Sequence, residues 1–90
     1  MALKDDVKSA LRIKSNTFDP EIDDLISAAK LDLSISGVKK IIETDALIKR
    51  AIIIYSKSHF GLENKDSEKY QKAYDLLKEH LALCGDYNVV

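Results

Sequence analysis

The chain has 90 residues, 46% of them hydrophobic and 32% charged, with a formal net charge of −1, which makes one domain with a single core and little surplus burial. The charge is even along the chain, seven basic and nine acidic groups in residues 1–45 and seven and six in residues 46–90, so the basic excess of a domain that grips free nucleic acid is missing. A single cysteine excludes an intrachain disulfide, no run approaches the roughly 18–20 apolar residues of a membrane span, and Met1 to Asp6 lack a signal-peptide core; a cytoplasmic setting is expected.

Three glycines and one proline leave little room for a meander of strands, so the elements are expected to be helices. The first spans Leu3 to Leu11, where Leu3, Val7, Ala10 and Leu11 recur at helical spacing. It is short enough to need docking on the rest. Arg12 to Phe18 reads as a polar connector.

Asp19-Pro20-Glu21 is the clearest helix start. Asp19 is expected to cap the free N–H groups, Pro20 suits the first helical position, and Glu21, Asp23 and Asp24 put negative charge at the positive end of the helix dipole. This second helix runs to about Ser36, with Gly37 as its stop. Ile22, Leu25, Ile26, Ala29 and Leu33 form its main apolar face, while Ala28, Leu31 and Ile35 form a second stripe on nearly the opposite side.

A connector from Val38 to Glu43 carries the basic pair Lys39 and Lys40. Thr44 is the expected cap of a third helix that runs to about Phe60, before Gly61. Its main face holds Leu47, Ile48, Ala51, Ile52, Ile54 and Tyr55, with Ala46, Ile53 and Phe60 on the other side. After a polar turn at Leu62 to Asp66, a fourth helix spans Ser67 to Cys84. Tyr70, Ala73, Tyr74, Leu76, Leu77, Leu81, Leu83 and Cys84 are expected to share one broad face, with Gly85 ending the helix in a left-handed turn. Asp86 to Val90 then leaves as a short tail, which gives a helical domain at 1–85 and a tail at 86–90.

The expected fold is therefore all-α, a compact bundle of about four helices with a short extended C-terminal tail. Four helices in one core need one apolar face each, and the reverse stripes of the second and third helices exceed that need. Two readings follow: the third helix is central and touched on all sides, or a reverse stripe is a subunit interface, with Leu31 and Ile35 the candidates.

Little points to catalysis. His80 and Cys84 lie four apart on one helix, but two ligands do not make a metal site. His80 is read as a semi-buried histidine in the apolar face, and Cys84 as a small core residue at a helix end whose dipole disfavours a thiolate. The carboxylates Asp19, Glu21, Asp23 and Asp24 lack the spacing and central glycine of a calcium loop. No phosphate loop, nucleophile elbow or paired-cysteine zinc signature occurs, so no catalytic, metal or cofactor residue is assigned and no enzyme activity is expected. A DNA-reading helix-turn-helix is disfavoured too, because the presumptive reading helix is mostly isoleucine where polar base contacts should stand.

The order of residues carries a resemblance. Val7-Lys-Ser-Ala-Leu-Arg-Ile13, the Asp-Pro-Glu helix start, Ile22-Asp-Asp-Leu-Ile-Ser-Ala-Ala29, Gly37-Val38, Asp45-Ala-Leu-Ile-Lys-Arg-Ala-Ile-Ile-Ile-Tyr55 and Leu81-Ala-Leu-Cys-Gly-Asp-Tyr-Asn88 resemble the small head–tail connector proteins of long-tailed bacteriophages, often called DNA-packaging or head-completion proteins. The resemblance covers about Val7 to Asn88. It implies a virion subunit assembled in the bacterial host cytoplasm. Copies would form a ring of about twelvefold symmetry below the portal protein, extend the DNA channel and receive a stopper or tail-completion protein. DNA would pass without sequence-specific binding, no cofactor is implied, and no membrane is involved. The candidate subunit or portal interface comprises Leu31, Ile35, Lys39, Lys40, Tyr87, Asn88, Val89 and Val90. The alternative from the residues alone is a small helical adaptor or regulator that binds another protein through the Leu31/Ile35 stripe.

Overall fold

The computed structural model describes residues 3–42, 45–60 and 66–85. Within them lie four helices and no strand: α1 (Leu3–Leu11), α2 (Asp19–Ile35), α3 (Ala46–His59) and α4 (Ser67–Leu83). The fold is all-α, as expected.

Helix α3 is the central element, packing against α1, α2 and α4, with its largest interface against α4. Val7, Ile22, Ala29, Leu33, Val38, Ile48, Ala51, Ile52, Tyr74 and Leu81 are fully buried. Each large aliphatic side chain among them contributes roughly 1.5–3 kcal/mol of transfer free energy. Burial reaches even the serines near the end of α3: Ser56 Oγ donates to the Ile52 carbonyl at 2.9 Å and Ser58 Oγ to that of Tyr55 at 2.8 Å, so both hydroxyls are satisfied within their own helix. The domain measures 38 × 28 × 18 Å. Its thin axis holds no more than two helices of about 10 Å diameter, which leaves outer faces on α2 and α4 with nothing packed over them.

The helix ends depart from expectation in informative ways. Asp19 does not cap α2; Phe18 holds the N-cap position without a side-chain cap, and Asp19 and Pro20 are the first two helical residues. The Asp19 carboxylate is drawn instead to α1, where it pairs with Lys8 at 2.9 Å and Lys4 at 3.4 Å. The cap of α3 is Asp45, whose Oδ1 accepts from the backbone N–H groups of Leu47 and Ile48; the expected cap, Thr44, lies outside the described residues. Asp6 of α1 pairs with Lys49 of α3 at 2.9 Å, so ion pairs tie the short first helix to both neighbours.

Helices α1 and α2 end alike. In α2, Gly37 takes φ +108°, its N–H donates to the Ser34 carbonyl, and Val38 N–H donates to that of Leu33 while the Val38 side chain enters the core. In α1 the same pair of bonds runs from Arg12 to Ser9 and from Ile13 to Lys8, with Arg12 at φ 60°. Both are left-handed helix terminators sealed by an apolar contact just beyond. Only the α2 terminator has the glycine that makes the turn unstrained. Helix α4 ends differently from expectation: Cys84 turns to an extended conformation (φ −81°, ψ 123°), and Gly85 is not left-handed.

Candidate assembly surfaces

Helix α2 turns Ile22, Ala29 and Leu33 into the core. At 100° per residue Leu31 and Ile35 fall on the far side, where they are 62% and 75% exposed. The reverse stripe is thus a solvent-facing apolar ridge, and the third member, Ala28, is half-buried at its edge. Lys39 and Lys40 are exposed just beyond the Gly37 turn, so the structure brings the stripe and the basic pair to the same end of α2. Tyr87, Asn88, Val89 and Val90, with the rest of the 86–90 tail, lie outside the described residues.

Helix α4 corrects the sequence reading. It buries only a narrow stripe, Tyr74 and Leu81 fully and Leu77 in part. Leu76 and Leu83, expected on that face, are 70% and 78% exposed. The reason is geometric: α4 packs closely only on α3 among the described helices, and a single neighbour covers a strip too narrow for residues about 160–180° from Tyr74. The spacing carried the signal, since Leu76 and Leu83 are seven apart and out of phase with Tyr74 and Leu81. His80 is likewise exposed, not semi-buried, because it sits on the flank of Leu81 that no helix covers. Cys84 is half-buried. Among the described residues no three His, Cys, Asp or Glu side chains are placed to hold a metal ion.

Helices α2 and α4 are joined by one polar bridge. Asp32 Oδ2 accepts from Tyr74 Oη at 2.7 Å and from Lys78 Nζ at 3.0 Å, and the Lys78 ammonium lies 5.1 Å from the centroid of the Tyr74 ring. Burial pushes the Asp32 carboxyl upward, but its two donors outweigh this and hold it below the usual carboxylate range. The Tyr74 hydroxyl is pushed well above the usual phenol range by burial and by the adjacent Asp32 charge. This bridge fixes the position of α2 relative to α4, and hence of the ridge carrying Leu31 relative to the one carrying Leu76.

The described domain thus presents two outward apolar ridges, surface of the kind found at protein contacts. The family model described as Phage connector protein matches residues 3–88. This chain belongs to the phage connector protein family. Membership makes the connector a structural component of the phage particle that works through contact with other head and tail proteins. No curated protein and no solved structure matches the chain. No described helix of the connector is long and apolar enough to cross a membrane.

Proposed function

We propose that this connector is the ring-forming subunit of the phage head–tail junction, sitting below the portal protein, extending the DNA channel and presenting a platform to a stopper or tail-completion protein. It does so as a structural part, without enzymatic activity. The observation that carries the reading is the Leu31/Ile35 ridge: two large, mostly exposed aliphatic side chains on one face of α2, in a chain of the connector family. Exposed apolar ridges of this kind mark protein contacts. In a ring such contacts are heterologous, one surface of a copy meeting a different surface of the next, and the angle between the two sets the number of copies. Near-neutral charge suits a channel wall past which DNA slides without sticking. Lys39 and Lys40 would meet an acidic neighbour or the portal, and the segment Tyr87 to Val90 would dock on the portal or on an adjacent copy, by strand addition.

Particle mass by light scattering across a concentration series, with and without portal protein, tests the proposal. A closed many-subunit species, alone or only with portal, is the expected result. A fixed small complex, or a monomer under every condition, would favour a protein-binding adaptor and overturn the ring. Removal of residues 86–90 is expected to abolish assembly with helix content unchanged; normal assembly of the shortened chain would remove the tail from the interface.

A further inference from the structure

Resting on the ring reading above, we propose which two surfaces meet: the α2 ridge of one copy, Leu31 and Ile35, packs on the α4 ridge of the next, Leu76 and Leu83, with the two helices running near-parallel. Both ridges are exposed and each lies on the side of its helix opposite the core, so neither can cover the other within one molecule. A heterologous contact requires two different surfaces on each chain, and these are two solvent-facing pairs of large aliphatic residues on long helices.

The register follows from spacing. With about 1.5 Å of rise per residue, Leu31 and Ile35 are about 6 Å apart along α2 and Leu76 and Leu83 about 10 Å apart along α4. Setting Leu31 level with Leu76 drops Ile35 into the gap between Leu76 and Leu83, a knob between two ridges. The charges decide the direction. Asp24 precedes Leu31 by seven residues on the same exposed face, and Lys69 precedes Leu76 by seven on the exposed face of α4. In the parallel arrangement, at a shallow crossing of about 20°, Asp24 therefore comes level with Lys69, and Lys72 stands one turn further on beside Ser27. With Leu31 still level with Leu76, an antiparallel arrangement sets Asp24 beside Leu83 and Ile35 beside Lys72, and carries Lys69 past the end of α2. Pairing α2 with α2, or α4 with α4, joins the apolar residues and leaves both charge groups unmatched. The second copy in parallel register is the occupant that covers both apolar ridges and pairs Asp24 with Lys69.

Complementation tests this pairing. One variant, Leu31→Asp with Ile35→Asp, loses the α2 ridge and keeps the α4 ridge; the other, Leu76→Asp with Leu83→Asp, does the reverse. Circular dichroism checks their folding, and sedimentation velocity reads their mass at concentrations, or with portal protein, at which the wild-type chain assembles. Each variant alone is expected to be monomeric, and the mixture to give a 1:1 complex that grows no further. A wild-type chain that assembles while the mixture stays monomeric, or while either variant alone assembles normally, overturns the pairing and leaves the ring standing. A wild-type chain that never assembles overturns the ring and this pairing with it. Should the aspartate variants fail to fold, charge exchange decides: Asp24→Lys weakens assembly and Lys69→Asp on the same chain restores it, whereas no restoration overturns the parallel register.

Discussion

The hydroxyl of Tyr74 donates a 2.7 Å hydrogen bond to the carboxylate of Asp32, forty-two residues earlier in the chain. It is the buried end of a bridge whose other donor, Lys78, reaches the same oxygen from nearer the surface. A charged acceptor makes this the strong kind of hydrogen bond. Tyr74→Phe keeps the ring in place against Tyr55, 5.1 Å away, and deletes only the donor. The variant is expected to lose about 1–2 kcal/mol of stability, measured by urea denaturation with an unchanged m-value.

The same bridge sets a pH dependence at both ends of the scale. Asp32 titrates below its ordinary value in the folded protein, so the unfolded chain binds the proton more tightly. Its contribution to stability is present above about pH 4 and is lost as the pH falls through the folded value. Asp19, held low chiefly by Lys8, follows the same sign. Tyr74 titrates above its ordinary value, so its contribution is complete below about pH 10 and is lost as the pH rises beyond that. Melting temperature against pH is expected to fall on both sides. Tyr74→Phe flattens the alkaline fall and makes the acid fall shallower; an unchanged profile would show that the bridge is not formed in solution.

Two neighbouring leucines of α2 are expected to behave oppositely. Leu33 is fully buried and Leu31 is exposed. Leu33→Ala is expected to cost about 2–5 kcal/mol, a large share of the roughly 5–13 kcal/mol available to a chain of this length. Leu31→Ala is expected to stay within about 0.5 kcal/mol. Chemical denaturation of the two variants side by side checks the assignment of faces, independently of any assembly.

The paired helix terminators make a third contrast. Gly37→Ala places a side chain at φ +108°. Its Cβ would meet only Ala82 Cβ, at an ordinary 3.9 Å, so the cost is backbone strain, about 1–2 kcal/mol. Arg12 already carries a side chain at φ 60°, and Arg12→Gly is expected to gain about 0.5–1 kcal/mol by relieving it. Thermal melts of both variants read the two signs.

Apolar periodicity and turn residues were enough to place all four helices close to their ends. Val38 beyond Gly37 and the run Ile48, Ala51, Ile52 mark a core that repeats at helical spacing, and the same spacing separated Leu31 and Ile35 from it. What stayed hidden depends on neighbours. Asp19 has the chemistry of a cap, but Lys4 and Lys8 lie within reach only because α1 folds across the start of α2. Leu76 and Leu83 have the chemistry of core residues; their phase sets them apart from Tyr74 and Leu81, but that this side stays uncovered follows from α4 packing closely only on α3 among the described helices. The long-range bond of Tyr74 to Asp32 has no local signature at all, since nothing near either residue in sequence calls for the other.

The position of α3 also bears on how the chain acquires its structure. Its largest interface is with α4, its neighbour in sequence, so the greatest packing gain comes at a small loop-closure cost. The α3–α4 hairpin is therefore the expected folding nucleus, with α2 and α1 docking on it afterwards. Truncations at Ile52 or Leu81 are then expected to slow refolding, while changes in α1, such as Val7→Ala, chiefly hasten unfolding. A subunit built this way would have its α4 ridge in place before its α2 ridge, and so would present one side of the proposed ring contact to neighbouring copies ahead of the other.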